Sequence, residues 1–77
     1  MSWPFKSTVK FTANDGRELR INYLVSAGNS LEAKAELKRR FLSLEIFGYR
    51  IERVVAATRQ EAAIFNLPAG CIQMLGD

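Results

Sequence analysis

Residues Phe5 to Ala13 alternate in character. Phe5, Val9, Phe11 and Ala13 share one parity, and Lys6, Thr8, Lys10 and Thr12 share the other. Period two in β-branched and aromatic residues predicts a strand with one face toward a core. Glu18 to Val25 repeats the pattern, with Leu19, Ile21, Tyr23 and Val25 on one face and Glu18, Arg20, Asn22 and Leu24 on the other. Asn14-Asp15-Gly16 lies between the two runs. A two-residue turn at Asp15-Gly16 would set Phe11 opposite Arg20 and Thr12 opposite Leu19, mixing two faces that should stay distinct. A three-residue loop sets Phe11 opposite Leu19 and Val9 opposite Ile21, with Gly16 in the left-handed conformation that such a loop requires. The apolar pattern therefore selects the three-residue loop with a bulge.

The period then changes. From Leu31 onward, Ala33, Leu37, Phe41 and Leu44 recur at helical spacing and form one stripe. Asn29 reads as the N-cap, with Glu32 three residues on and Ser30 as the competing cap. Gly48 reads as the stop. Glu36 is placed to pair with Arg40 one turn later, and Lys38, Arg39 and Arg40 suit the negative end of the helix dipole. Leu31, Ala35 and Leu42 lie on a second line, followed closely by Ile46 and Phe47. That is more apolar surface than one sheet face needs. Either the C-terminal segment covers it or it is a self-association surface.

Tyr49 to Ala57 predicts a third strand. Tyr49, Ile51, Val55 and Ala57 share a parity that Arg53 interrupts, and Val54 has the opposite one. A bulge near Arg53, or a strand covered on both faces, accounts for this. The helix returns the chain, so strands two and three run parallel and strand three fits beside strand one, antiparallel to it. Thr58-Arg59-Gln60-Glu61 is a full capping box for a short helix over about 59–66. That helix should bury Ala62 and Phe65, with Ile64 a further candidate, and Asn66 and Pro68 should end it. Cys71 to Leu75 is either a fourth short strand or an extended tail. The expected fold is α+β: a small two-layer ββαβ sandwich, one domain over 1–77, with a three-stranded sheet packed by one main helix and a short C-terminal helix. A chain this small buries only roughly 60% of its unfolded surface, which makes it marginal or dependent on a partner.

Composition narrows the chemistry. The chain is 48% hydrophobic and 25% charged, values of an ordinary globular domain. Eleven Lys and Arg against eight Asp and Glu give a net charge of +3, which permits an anionic partner without requiring one. There is no histidine and one cysteine, Cys71, so no intrachain disulfide forms and a Ser or Cys nucleophile lacks its usual base. Cys71 sits among apolar residues and reads as a small buried side chain. No phosphate-binding glycine motif occurs, and no cofactor or metal is expected. The reading is therefore non-enzymatic. The N-terminus MSWPFKS lacks the apolar segment of a signal peptide, and no run approaches the ~20 apolar residues of a membrane span, so a cytoplasmic location is expected.

Two candidate surfaces follow. In the three-residue-loop register Lys10 faces Arg20, Thr8 faces Asn22 and Thr12 faces Glu18. Arg50 and Glu52 join them if strand three lies beside strand one. Like charges directly opposed are unfavourable. Either Glu18 and Glu52 neutralise the cations diagonally, or Lys6, Lys10, Arg20 and Arg50 form an open face for an anionic partner. The aromatics Phe5, Phe11, Tyr23 and Tyr49 mostly fall on the buried parity, which argues against sequence-specific RNA readout and leaves phosphate contacts open. On the helix, Lys34 and Lys38 share one flank, Arg40 lies on the other and Arg39 points away. The second surface is apolar: Trp3, Leu42, Ile46 and Phe47. Trp3 is read as a lid on the core edge, with an exposed aromatic as the alternative.

The order strand, turn, strand, helix, strand over Phe5 to Thr58 resembles two groups of small proteins. One is the linker-type domains of phycobilisomes, in which Phe5-Lys6 at the start and a basic helix before a strand like Tyr49-Arg50-Ile51-Glu52-Arg53-Val54 recur in outline. The other is a ribosomal protein module with the same ββαβ order. The resemblance implies the architecture, and no functional residue is carried over from it. The expected function is a protein-interaction or adaptor module that docks on a larger assembly, with a homodimer as one form of partner. The alternative is RNA or ribonucleoprotein binding through the basic sheet face of Lys6, Lys10, Arg20 and Arg50 together with the Lys38–Arg40 segment.

Overall fold

A computed structural model describes residues 2–65, 68 and 70–75. The first hairpin has the register that the apolar pattern selects. β1 (Trp3–Thr12) and β2 (Glu18–Ala27) pair antiparallel with Phe11 opposite Leu19, Lys10 opposite Arg20 and Val9 opposite Ile21. The loop is closed by Ala13 N–H donating to the Arg17 carbonyl at 2.8 Å and Gly16 N–H donating to the Ala13 carbonyl at 2.9 Å. Gly16 takes φ 87°, the left-handed conformation that glycine tolerates best. The Asp15 carboxylate accepts from the Arg17 backbone N–H at 3.0 Å and from its Nε at 2.6 Å. These bonds hold the Asp15 carboxyl below its ordinary pKa.

The main helix, α1 (Ser30–Ser43), starts as its sequence predicts. Asn29 Oδ1 accepts from the Glu32 N–H at 2.8 Å, while the Glu32 carboxylate reaches back to the Gly28 N–H at 2.9 Å. Ala33, Leu37 and Phe41 are buried. The end of α1 differs from expectation. Leu44 is the C-cap and Glu45 takes φ 58°. Glu45 N–H donates to the Leu42 carbonyl at 3.1 Å and Ile46 N–H to the Phe41 carbonyl at 2.8 Å. That is the Schellman closure, with a glutamate where glycine is usual. It ends the helix early enough for Ile46 to turn back onto the core. Leu44, expected in the stripe, is 59% exposed as a result. Gly48 serves β3 instead: its carbonyl accepts from the Thr12 N–H at 2.9 Å, and a Cβ there would lie 3.2 Å from the Thr12 oxygen.

β3 (Tyr49–Ala56) lies antiparallel beside β1. Thr8 pairs with Arg53 but Val9 pairs with Ile51, so Glu52 is an extra residue in the ladder. This bulge switches the faces. Val54, not Val55, joins Tyr49 and Ile51 against the core, and Val55 turns to the other side. α2 (Arg59–Ile64) carries the expected reciprocal cap, with Glu61 N–H donating to Thr58 Oγ1 at 3.2 Å and Thr58 N–H to Glu61 Oε1 at 3.0 Å. It ends at Ile64, which is exposed, while Ala62 and Phe65 are half-buried. The expected stop at Asn66 lies outside the described residues. β4 (Ile72–Leu75) pairs antiparallel with β2, so this segment is a strand. The four-stranded antiparallel sheet has the order β3-β1-β2-β4.

The core lies between this sheet and α1. Phe5, Val9, Val25 and Ala27 from the strands meet Ala33, Leu37 and Phe41 from the helix. Phe41 is its aromatic centre, with ring centroids 5.5 Å from Phe11, 5.6 Å from Tyr23 and 4.7 Å from Tyr49. The edge-on and tilted geometries are those that aromatic quadrupoles favour. Ser7 is also buried on this face, and its hydroxyl has no partner among the described residues. Leu24 is fully buried on the opposite face, where its register partner Lys6 reaches Glu61 of α2.

Candidate functional site

On the sheet face away from α1, Lys10 stands between Arg20 of β2 and Arg50 of β3, three cations in one cross-strand row. Carboxylates relieve their repulsion. Glu52, the extra residue of the bulge, reaches over β1 to put its Oε1 2.8 Å from Arg20 Nε, and Glu18 lies 3.5 Å from Lys10 Nζ. The hydrogen bond from Arg20 holds the Glu52 carboxyl below its usual range, and Glu52 in turn keeps Arg20 charged. Lys6 Nζ lies 2.7 Å from Glu61 Oε2. That contact, with the Thr58 N–H behind it, lowers the Glu61 pKa to about 2. Of the four cations assigned to this face, Arg50 has no ion-pair partner among the described residues. Phe5, Phe11, Tyr23 and Tyr49 all turn to the α1 side, so no ring from this set is offered to a nucleobase.

A second basic site lies at the outer margin of the sheet. Lys34, Lys38 and Leu42 succeed one another at i, i+4 spacing, one position after the buried Ala33, Leu37 and Phe41. Lys34, Lys38, Phe47, Tyr49, Arg50 and Ile51 line a groove of about 440 Å³ between α1 and β3. None of its three cations has an ion-pair partner among the described residues. Glu36 does not change this, because it engages Arg39 at 3.0 Å and not Arg40 as expected. β3 is the outer strand. The Gly48 carbonyl and the Ala57 N–H, at its two ends, both bond β1. Alternation from those ends turns the main chain of Ile51, Val54 and Ala56 outward, where no strand of the described chain meets it.

The apolar candidates are divided between the two ends of the molecule. At the end holding the hairpin loop and the α1–β3 connection, Leu19, Leu42, Leu44 and Phe47 are 60%, 65%, 59% and 71% exposed. Beside them lies a mainly apolar groove of about 470 Å³, lined in part by Phe11, Leu19, Ile46 and Gly48. Ile46 is half-buried and packs on the core. Trp3 sits at the other end of β1. Its indole Nε1–H donates to the Ala57 carbonyl at 2.9 Å, which makes it a partly exposed clasp. Among the described residues the C-terminal segment leaves the loop end open, because β4 adds to β2 at the far side of the sheet. Cys71 is half-buried.

The groove between α1 and β3 is half legible in the sequence. Helical spacing puts Lys34 and Lys38 on one flank, the strand pattern puts Arg50 on the sheet, and Leu42 and Phe47 belong to an apolar surface. The missing signal is that β3 is the free edge, which depends on β4 choosing β2.

No protein-family model matches this chain, and neither a curated protein nor a solved structure is found to match it. No helix among the described residues is long and apolar enough to cross a membrane.

Proposed function

We propose that this chain is a non-enzymatic protein-interaction module that docks on a larger protein or assembly through its loop end. The carrying observation is the group of four large apolar side chains, Leu19, Leu42, Leu44 and Phe47, each more than half in water at that end. Fully burying one such side chain contributes about 1.5–3 kcal/mol, so a partner that covers two or three gains a real share of its affinity there. Phe47 is the natural anchor, since an aromatic side chain contributes much contact area and loses little rotamer freedom. A cytoplasmic setting agrees with a single cysteine, which permits no intrachain disulfide.

The competing reading is RNA on the open sheet face, supported by the Lys10, Arg20 and Arg50 row. Glu18 and Glu52 already occupy two of those cations, and the rings that turn to the α1 side remove the stacking platform. One experiment separates the two. The tagged chain and its Leu42→Ser/Phe47→Ser variant are mixed with native lysate, with and without nuclease. A stoichiometric protein that survives nuclease and is lost from the variant supports docking through the loop end. Equal recovery by the variant overturns this surface. Recovery abolished by nuclease, or by Lys10→Glu with Arg20→Glu, moves the assignment to RNA.

A further inference from the structure

We infer that the groove between α1 and β3 receives an extended acidic segment of the partner protein. The segment lies along β3, with its carboxylates on Lys34, Lys38 and Arg50 and an apolar side chain against Phe47. This deepens the docking reading above and rests on it, because Phe47 and Leu42 belong to both surfaces. Three observations carry the inference. The groove gathers three cations with no carboxylate partner among the described residues, whereas Lys6, Lys10 and Arg20 across the sheet each have one. Beside these cations β3 turns the Ile51 main chain outward, a ready partner for another strand. Phe47, 71% exposed, closes the loop end of the same groove and gives an apolar residue somewhere to rest.

The chemistry also selects against other occupants. A second copy of this chain carries a net charge of +3 and would bring the same three cations to the seam. RNA would find phosphate partners, but among the described residues Phe47 is the only exposed aromatic side chain lining the groove. A neutral strand would leave the ammonium groups partly desolvated and unmatched, which is how lysines guard free edges. An acidic strand turns that penalty into attraction. The bulge at Glu52 interrupts the edge and the Tyr49 N–H already donates to the Phe47 carbonyl at 3.0 Å, so the paired stretch is short and centres on Ile51.

The test uses the whole chain, isotope-labelled, and a short synthetic peptide of Asp and Glu around one Phe. Binding is followed by calorimetry and by amide NMR shifts. The expected result is saturable binding that weakens with salt, with the largest shifts at Phe47, Tyr49, Ile51 and the Lys34–Leu42 face. Lys34→Glu with Lys38→Glu should weaken binding roughly tenfold or more, and Lys10→Glu with Arg20→Glu should leave it within about threefold. Both pairs of sites lie on the surface, and the NMR spectrum of each variant reports its fold. No binding, shifts centred on the open sheet face, or equal loss from both variants overturns the inference. So does displacement of the peptide by oligouridylate at equal concentration. If the Lys34/Lys38 variant still recovers the lysate partner while Leu42→Ser/Phe47→Ser does not, the acidic segment is wrong and docking through the loop end stands. Loss of neither overturns both.

Discussion

Two groups of cations share one small sheet and live in opposite circumstances. On the open face, Lys6, Lys10 and Arg20 are matched one to one by Glu61, Glu18 and Glu52. At the outer margin, Lys34, Lys38 and Arg50 line a groove and have no such partner among the described residues. Counting positive residues along a strand marks the first group as the binding face. Pairing them in space marks the second. An ion pair in water is worth little to stability, but it satisfies the charge that an incoming anion would otherwise meet. Arg50 stands at the border, opposite Lys10 in the ladder and yet lining the groove. The Glu52 bulge lies between the two groups and sends its carboxylate to Arg20.

The largest expected effect concerns what both surfaces stand on. Phe41, 2% exposed and packed on Phe11, Tyr23 and Tyr49, positions β3 and hence both rows of cations. Phe41→Ala should cost about 3–5 kcal/mol in urea unfolding followed by circular dichroism, a large share of a small domain's stability. Phe47→Ala should stay within about 0.5 kcal/mol, as expected for a surface site. If the two variants cost alike, Phe47 is a core residue and the groove loses its wall. A smaller effect tests whether pairing is what silences the open face. Glu18→Gln with Glu52→Gln frees Lys10 and Arg20, and affinity for oligouridylate in a gel-shift assay should rise roughly tenfold at low salt and fade at high salt. An unchanged affinity would mean that geometry, not neutralisation, makes that face inert.

The smallest effect is a pH signature. Glu61 has its pKa lowered to about 2 by Lys6 and the Thr58 N–H, against an ordinary value of 4.5. A carboxyl depressed on folding contributes stability that is complete above its unfolded pKa and is lost as pH falls through the folded value. The thermal midpoint should therefore decline from about pH 5 down to pH 2. Glu61→Gln should flatten part of that decline, while Lys34→Ala with Lys38→Ala leaves its shape unchanged. A midpoint that falls equally steeply in Glu61→Gln assigns the loss to other carboxylates.

Most of the fold could be read from local chemistry. The three-residue loop followed from keeping Phe11 and Arg20 on different faces, and both N-caps followed from Asn29 and Thr58. The errors arose where tertiary contact outweighed local preference. Gly48 looked like the helix stop, but Ile46 had to reach the core, and Glu45 took the left-handed turn in its place. The broken parity at Arg53 pointed to a bulge there, but that the extra residue is Glu52 and that Val54 rather than Val55 meets the core depends on the pairing with β1. The candidate site was harder because it depends on which edge stays free. Cys71 to Leu75 left strand and tail equally open, and only its pairing with β2 makes β3 an outer strand.

The clasp at Trp3 has a practical consequence. It is the chain's single tryptophan, and its indole N–H is tied to the Ala57 carbonyl at 2.9 Å. The ten residues of β1, at about 3.4 Å each, hold it roughly 30 Å from the loop end where Phe47 sits. Its emission is therefore an optical gauge of one event only, the release of the first strand from the β3–α2 junction. A ligand seated at the loop end should leave its wavelength unchanged, while loss of the fold shifts it to the red. A single cuvette can thus tell a variant that no longer binds from one that no longer folds.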